Sequence, residues 1–160
     1  MLTFFVRGKP EPAGSKTAYP LTHRTTKEPI RKNGRIITVV TDANPRAKAW
    51  QAVVRKAARE AMKAGWIPVF ETQGLAVTMQ FFLRRPKGQH RTNGQPHAWA
   101  PTSHIVKPDV LKLARAVEDA LTGVVWRDDA QIVEEHLSKV YAVNQTDEGV
   151  MIEVEPYSAG

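Results

Sequence analysis

A single amphipathic helix, fenced at both ends by aspartates, dictates more about this chain than any other stretch. Val110, Leu113, Ala114, Val117 and Leu121 recur at three- and four-residue spacing, the period that gathers apolar side chains onto one face of an α-helix. Leu111, Arg115 and Glu118 fall to the side of that stripe. Asp109 stands where the helix begins, and Asp128 and Asp129 follow the turn that ends it. Packing of the helix on the next strand could therefore bring the carboxylates together. Such a group suits Mg²⁺, which takes hard oxygen ligands and keeps several waters. Phosphodiester hydrolysis then follows from an activated water and a neutralised leaving oxygen. The same spacing is also served by a helix-capping Asp109 with Asp128 and Asp129 solvated in a turn.

The surrounding chain supplies the elements for that helix to pack on. Leu2 to Val6 reads as a strand, and the proline- and glycine-rich segment 8–20 as a loop carrying Lys16. Pro29 to Val40 places two strand-like runs around Asn33-Gly34, the signature of a two-residue type I′ hairpin. Asn44-Pro45 opens a helix whose apolar face comprises Ala47, Trp50, Val53, Val54, Ala57, Ala58, Ala61 and Met62, and which stops at Gly65. Gly74 to Leu83 is a central strand, and 84–106 a long aperiodic loop. His90, His97 and His104 recur every seven residues in it; without fixed elements or cysteine partners they suit polar surface or phosphate contact better than zinc. Gln131 to Ala142 is a strand, and Val150 to Glu155 an antiparallel strand that closes the fold, with 156–160 a frayed tail. These elements predict one α+β domain over residues 1–160, a mixed sheet with two main helices on one face and a basic hairpin.

Charge narrows the function. Residues 1–108 hold 19 Lys and Arg against 5 Asp and Glu, a net +14, whereas residues 109–160 hold 4 against 11, a net −7. A basic body attracts phosphate backbones through counterion release, and an acidic patch within it is tolerable beside nucleic acid chiefly if cations intervene. Lys16, Arg31, Lys32, Arg35, Lys107 and Lys112 are the expected DNA contacts. The absence of cysteine removes disulfides, thiol nucleophiles and cysteine zinc sites. No apolar run approaches the roughly 18 residues of a membrane helix, and the first residues lack a signal peptide's charged start, so the expected location is the cytoplasm, with no membrane partner.

The run Lys107-Pro108-Asp109, Leu113, Arg115, Asp119-Ala120-Leu121, Gly123, Trp126, Asp128-Asp129 and Gln131-Ile132 resembles the signature of the RusA family of Holliday junction resolvases. Gly8, Pro10, Pro12, Gly14-Ser15-Lys16 and Lys139-x-Tyr141 fit the same family. The resemblance implies a RusA-like fold and a Mg²⁺-dependent (or Mn²⁺-dependent) endodeoxyribonuclease that resolves four-way DNA junctions in recombination and repair. It implies a homodimer as well, and phage-type ancestry, hence the cytoplasm of a bacterial host. It matches Asp109 and Asp129 to two catalytic aspartates and Arg115 to the position of a catalytic Lys or Arg; the metal is then expected on Asp109 and Asp129, with Asp128 as a further candidate ligand. One position departs: where the family carries a further catalytic aspartate this chain has Leu111. The alternative implied is a junction-binding protein with weakened or lost cleavage. Glu118, two turns along nearly the same helix face, sits where the family usually has an apolar residue, about 10 Å from position 111 and too far to replace that ligand directly.

Overall fold

Strict alternation makes the central strand. Leu75, Val77, Met79, Phe81 and Leu83 are buried while the residues between them are half-exposed, so β6 (Leu75–Leu83) offers one face to a core. A computed structural model describes residues 1–42, 44–65, 73–144 and 147–158. Within them lie β1 (Leu2–Arg7), β2 (Lys16–Pro20), β3 (Arg31–Lys32), β4 (Arg35–Ile36), β5 (Thr38–Asp42), α1 (Pro45–Met62), β6, α2 (Val110–Leu121), β7 (Ile132–Tyr141) and β8 (Gly149–Pro156). The fold is α+β, a mixed sheet with both helices on one face.

The four-stranded sheet has the order β1-β8-β6-β7. β7 runs parallel to β6, whereas β8 is antiparallel to both β1 and β6. A parallel pair needs a crossover, which here is made by the 84–106 loop and α2. The last strand therefore does not fold back on β7, as a simple antiparallel closure would. It enters between β1 and β6, where Val150, Ile152 and Val154 are fully buried. β7 is left at the edge, where exposed Glu134, Glu135 and His136 discourage pairing with another chain.

α1 begins at Asn44, whose side chain accepts from the Arg46 amide, and continues with Pro45 in its first turn. It buries Ala47, Trp50, Val54 and Ala58. Val53, expected on the same face, is 45% exposed because it falls on the flank of the stripe that these four define. α2 buries Leu113, Ala114, Ala116, Val117, Ala120 and Leu121. It ends in a turn where Gly123, at φ +75°, donates to the Trp126 carbonyl (2.6 Å) and the buried Trp126 indole donates to Thr122 Oγ1 (3.1 Å).

Residues 16–42 form an arm of paired strands. Asn33 and Gly34 both have positive φ, 51° and 76°, as a type I′ turn requires, and join β3 to β4. The hairpin itself is short, and β5 pairs with β2 instead. Lys16–Pro20, expected as part of a loop, is therefore a strand. A two-stranded ribbon has no second ladder to satisfy, so Pro20 is tolerated at its end. The 84–106 loop is aperiodic as expected, apart from one short 3₁₀ turn at Lys87–Gln89.

Candidate active site

One face of β7 reads α2 and the segment before it in reverse order. Glu135, Lys139 and Tyr141 share that face by the two-residue alternation of a strand. Glu135 is hydrogen-bonded to Glu118 near the end of α2. Lys139 Nζ donates to the carbonyls of Val106 (2.7 Å) and Pro108 (2.8 Å), just ahead of α2. The Tyr141 ring lies against His104, centroids 4.8 Å apart. The helix thus runs antiparallel to the strand, and Lys139 fixes its entry. The amide of Ala13, itself buried, donates to the Lys112 carbonyl (2.8 Å), so the segment after β1 is fastened to the same end of α2.

Asp109 occupies the N-cap position of α2, yet its side chain makes no capping hydrogen bond. Its exposed carboxylate remains available to a ligand. Asp128 is committed otherwise: its carboxylate accepts from the Ala130 amide (2.9 Å), while Gln131 Oε1 accepts from the Arg127 and Asp128 amides. That reciprocal cap holds the 3₁₀ turn Asp129–Gln131, and the Ala130 hydrogen bond keeps the Asp128 carboxyl below its ordinary value. Asp129 is exposed and turned toward a shallow cleft of about 330 Å³ that it shares with Glu118, Glu134 and Glu135. There Glu118, half-buried and hydrogen-bonded to Glu135 with Asp129 and Asp119 nearby, is pushed up to about 8, first by burial and then by these neighbours.

Asp129 is therefore grouped with Glu118, near the end of α2, and Asp109 with Lys139, at its start. The helix rises about 13 Å between residues 109 and 118. Among the described residues, no three carboxylates or histidines stand close enough to hold a metal ion as they lie. The donor set is nonetheless of the kind a hard divalent cation takes: an uncommitted Asp109, an exposed Asp129, and a Glu118 whose ionisation burial first, and then its acidic neighbours, oppose.

Leu111 is 70% exposed, so nothing in the core demands an apolar side chain there. Arg115 is exposed on the same helix. Lys107 and Lys112 are exposed beside the start of α2, and Arg31, Lys32 and Arg35 are exposed on the short hairpin of the arm. Lys16 lies in β2, with its side chain outside the described residues. Of the three spaced histidines, His104 is not polar surface: it is 6% exposed because it packs on Tyr141.

The sequence reading left Glu135 out and gave Glu118 no place beside Asp129. Its available signal was the alternation of Glu135, Lys139 and Tyr141 on one strand face. Lys139 stood only as part of a motif, and its hold on Val106 and Pro108 gives that motif a physical content.

Comparison with known families places residues 20–155 on the model of the RusA endodeoxyribonucleases. The protein class is thus that of enzymes cutting DNA within the strand. The match covers most of the 160 residues, and the chain belongs to the RusA family. No curated protein matches it. Among the described residues, no helix is long and apolar enough to cross a membrane.

Proposed function

We propose that this protein is a divalent-cation-dependent endodeoxyribonuclease that acts on four-way DNA junctions as a homodimer in the cytoplasm of a phage-infected bacterium. The observation that carries the reading is the exposed Asp109, whose carboxylate makes no capping bond, together with the exposed Asp129 at the cleft, on a RusA-family scaffold. Asp109 and Asp129 would hold Mg²⁺ or Mn²⁺, with Asp128 restrained by its cap. When bound, the cation supplies an activated water and neutralises the leaving oxygen. Arg115 places a permanent positive charge for the phosphate, whose negative charge grows as the bond breaks. Lys107, Lys112 and the arm residues Arg31, Lys32 and Arg35 supply phosphate contacts. A two-fold dimer suits the substrate because it offers two sites to opposed strands.

The exposure of Leu111 favours a second reading, a junction binder of reduced cleavage, since one family carboxylate is missing from this chain. The deciding assay compares branched with linear DNA, with and without Mg²⁺. The first reading expects junction cleavage only with Mg²⁺, lost in Asp129→Asn while junction binding is kept or strengthened, because removing a carboxylate lessens repulsion of phosphate. Tight junction binding with no cleavage selects the second reading, and equal affinity for branched and linear DNA rejects both.

A further inference from the structure

Next to Lys107 and Pro108, on the side away from Asp129, lies a cleft of about 550 Å³ that the reading above does not use. This volume is in the range of small-ligand sites. Its cations are Lys9, Arg84, Arg85, Lys87 and Lys107, against the two carboxylates of Glu11 and Glu148. Glu11 pairs with Lys9 at 3.4 Å, and Glu148 accepts from the Arg84 amide at 3.4 Å, so the excess charge is positive and suits an anion. The rest of the lining is flat and apolar: Leu83, Pro10, Pro12, Pro86 and Pro108. A bare phosphate would need no such surface.

His104 also lines the cleft. Its Nδ1 is buried without a hydrogen-bond partner, as is the hydroxyl of Tyr141 against which its ring lies. An unsatisfied buried polar atom costs about 1–3 kcal/mol, so the pair marks a place in the fold where the cost needs an explanation. Burial first and Lys139 second, with a lesser push from Arg85, hold the ring below its ordinary pKa against the opposing pull of the His104 and Val106 carbonyls. The neutral ring can meet the uncharged edge of a base. Arg85 is fixed in place by Nη1 bonds to the Pro101 carbonyl (2.7 Å) and Gln89 Oε1 (3.1 Å), with its guanidinium 3.8 Å from the Tyr141 ring centroid. Pinned guanidinium planes of this kind are surfaces on which unpaired bases stack.

We propose that this cleft is a nucleotide pocket, taking one unstacked nucleotide of the DNA strand with its base against the prolines and His104 and its phosphate on the basic rim. The inference rests on the DNA-cutting reading. Because the pocket shares Lys107 and Pro108 with the Asp109 end of α2, the captured nucleotide fixes which phosphate reaches Asp109. Base preference at the cut would then be decided in the pocket.

The test titrates protein carrying isotope-labelled histidine with single-stranded pentanucleotides of each base, and with an abasic pentamer of equal charge. The His104 ring resonances should shift saturably, with at least one base-bearing pentamer binding 10-fold or more tighter than the abasic one. In a folded His104→Gln variant that ratio should fall below twofold. Equal binding of base-bearing and abasic pentamers, or an unmoved His104 resonance, overturns the pocket; the wild-type titration decides this even if the variant does not fold. Junction against duplex affinity, measured on the same protein, tests the junction reading separately. Its failure beside a shifted His104 would leave the pocket standing.

Discussion

Leu111 and Glu118 hold the chemistry of this chain in tension. Leu111 is 70% exposed, so Leu111→Asp should alter stability by no more than about 0.5 kcal/mol. By restoring a carboxylate near Asp109 it should raise Mg²⁺-dependent junction cleavage about tenfold or more, read as a single-turnover rate across a Mg²⁺ titration. If the unmodified protein already cleaves as fast and Glu118→Gln disables it, the carboxylate beside Asp129 does the work instead. Glu118 also makes a prediction about folding. Its carboxyl is raised from the ordinary 4.5 to about 8 in the folded chain, so between those values the folded state binds more protons than the unfolded state. Stability must therefore fall as pH rises through that window. Because the side chain is only half-buried, screening reduces the effect to on the order of 1 kcal/mol. Thermal melts from pH 5 to 8 should show the decline, Glu118→Gln should flatten it, and saturating Mg²⁺ should shrink it if the cation sits there.

The elements differ in how plainly they can be read from sequence. The Asn33-Gly34 turn is legible because two successive positive φ angles are available cheaply to few residue pairs. The stripe of α2 is legible because a helix repeats its own geometry. The meeting of Glu118 with Asp129 and Glu135 is not, since it depends on the direction in which α2 crosses β7, and no local period encodes that. His104 was misread for the same reason: it sits in an aperiodic loop, and only the partner strand reveals Tyr141 beneath it. β2 was missed because the prolines and glycines of segment 8–20 argue against a central strand and say little about a ribbon. That ribbon makes its own prediction. If Arg31, Lys32 and Arg35 each contact a phosphate, replacing all three with Ala should reduce the slope of log affinity against log salt by about three. Junction affinity measured from low to moderate salt reads this directly, and an unchanged slope would take the arm off the DNA.

At the scale of the molecule, the sheet order could not be read from alternation alone. Val150, Ile152 and Val154 announce a buried strand, but burial names no neighbours. Their place between β1 and β6 has a consequence for how the protein is made. On the ribosome β1 emerges before the rest of the sheet, yet among the described residues its partner in the sheet is β8, some 140 residues later. At 5–20 residues per second that wait lasts roughly 7–30 s. Until then β1 and one edge of β6 are open ladders, available to chaperones or to other nascent chains. Chains stalled at Glu148 should stay protease-sensitive and those extended well past Pro156 should become resistant, as limited proteolysis of stalled complexes would show. The sheet on which α2 packs, with Asp109 at the start of that helix and Asp129 in the turn before β7, closes only when synthesis of the fold is nearly over.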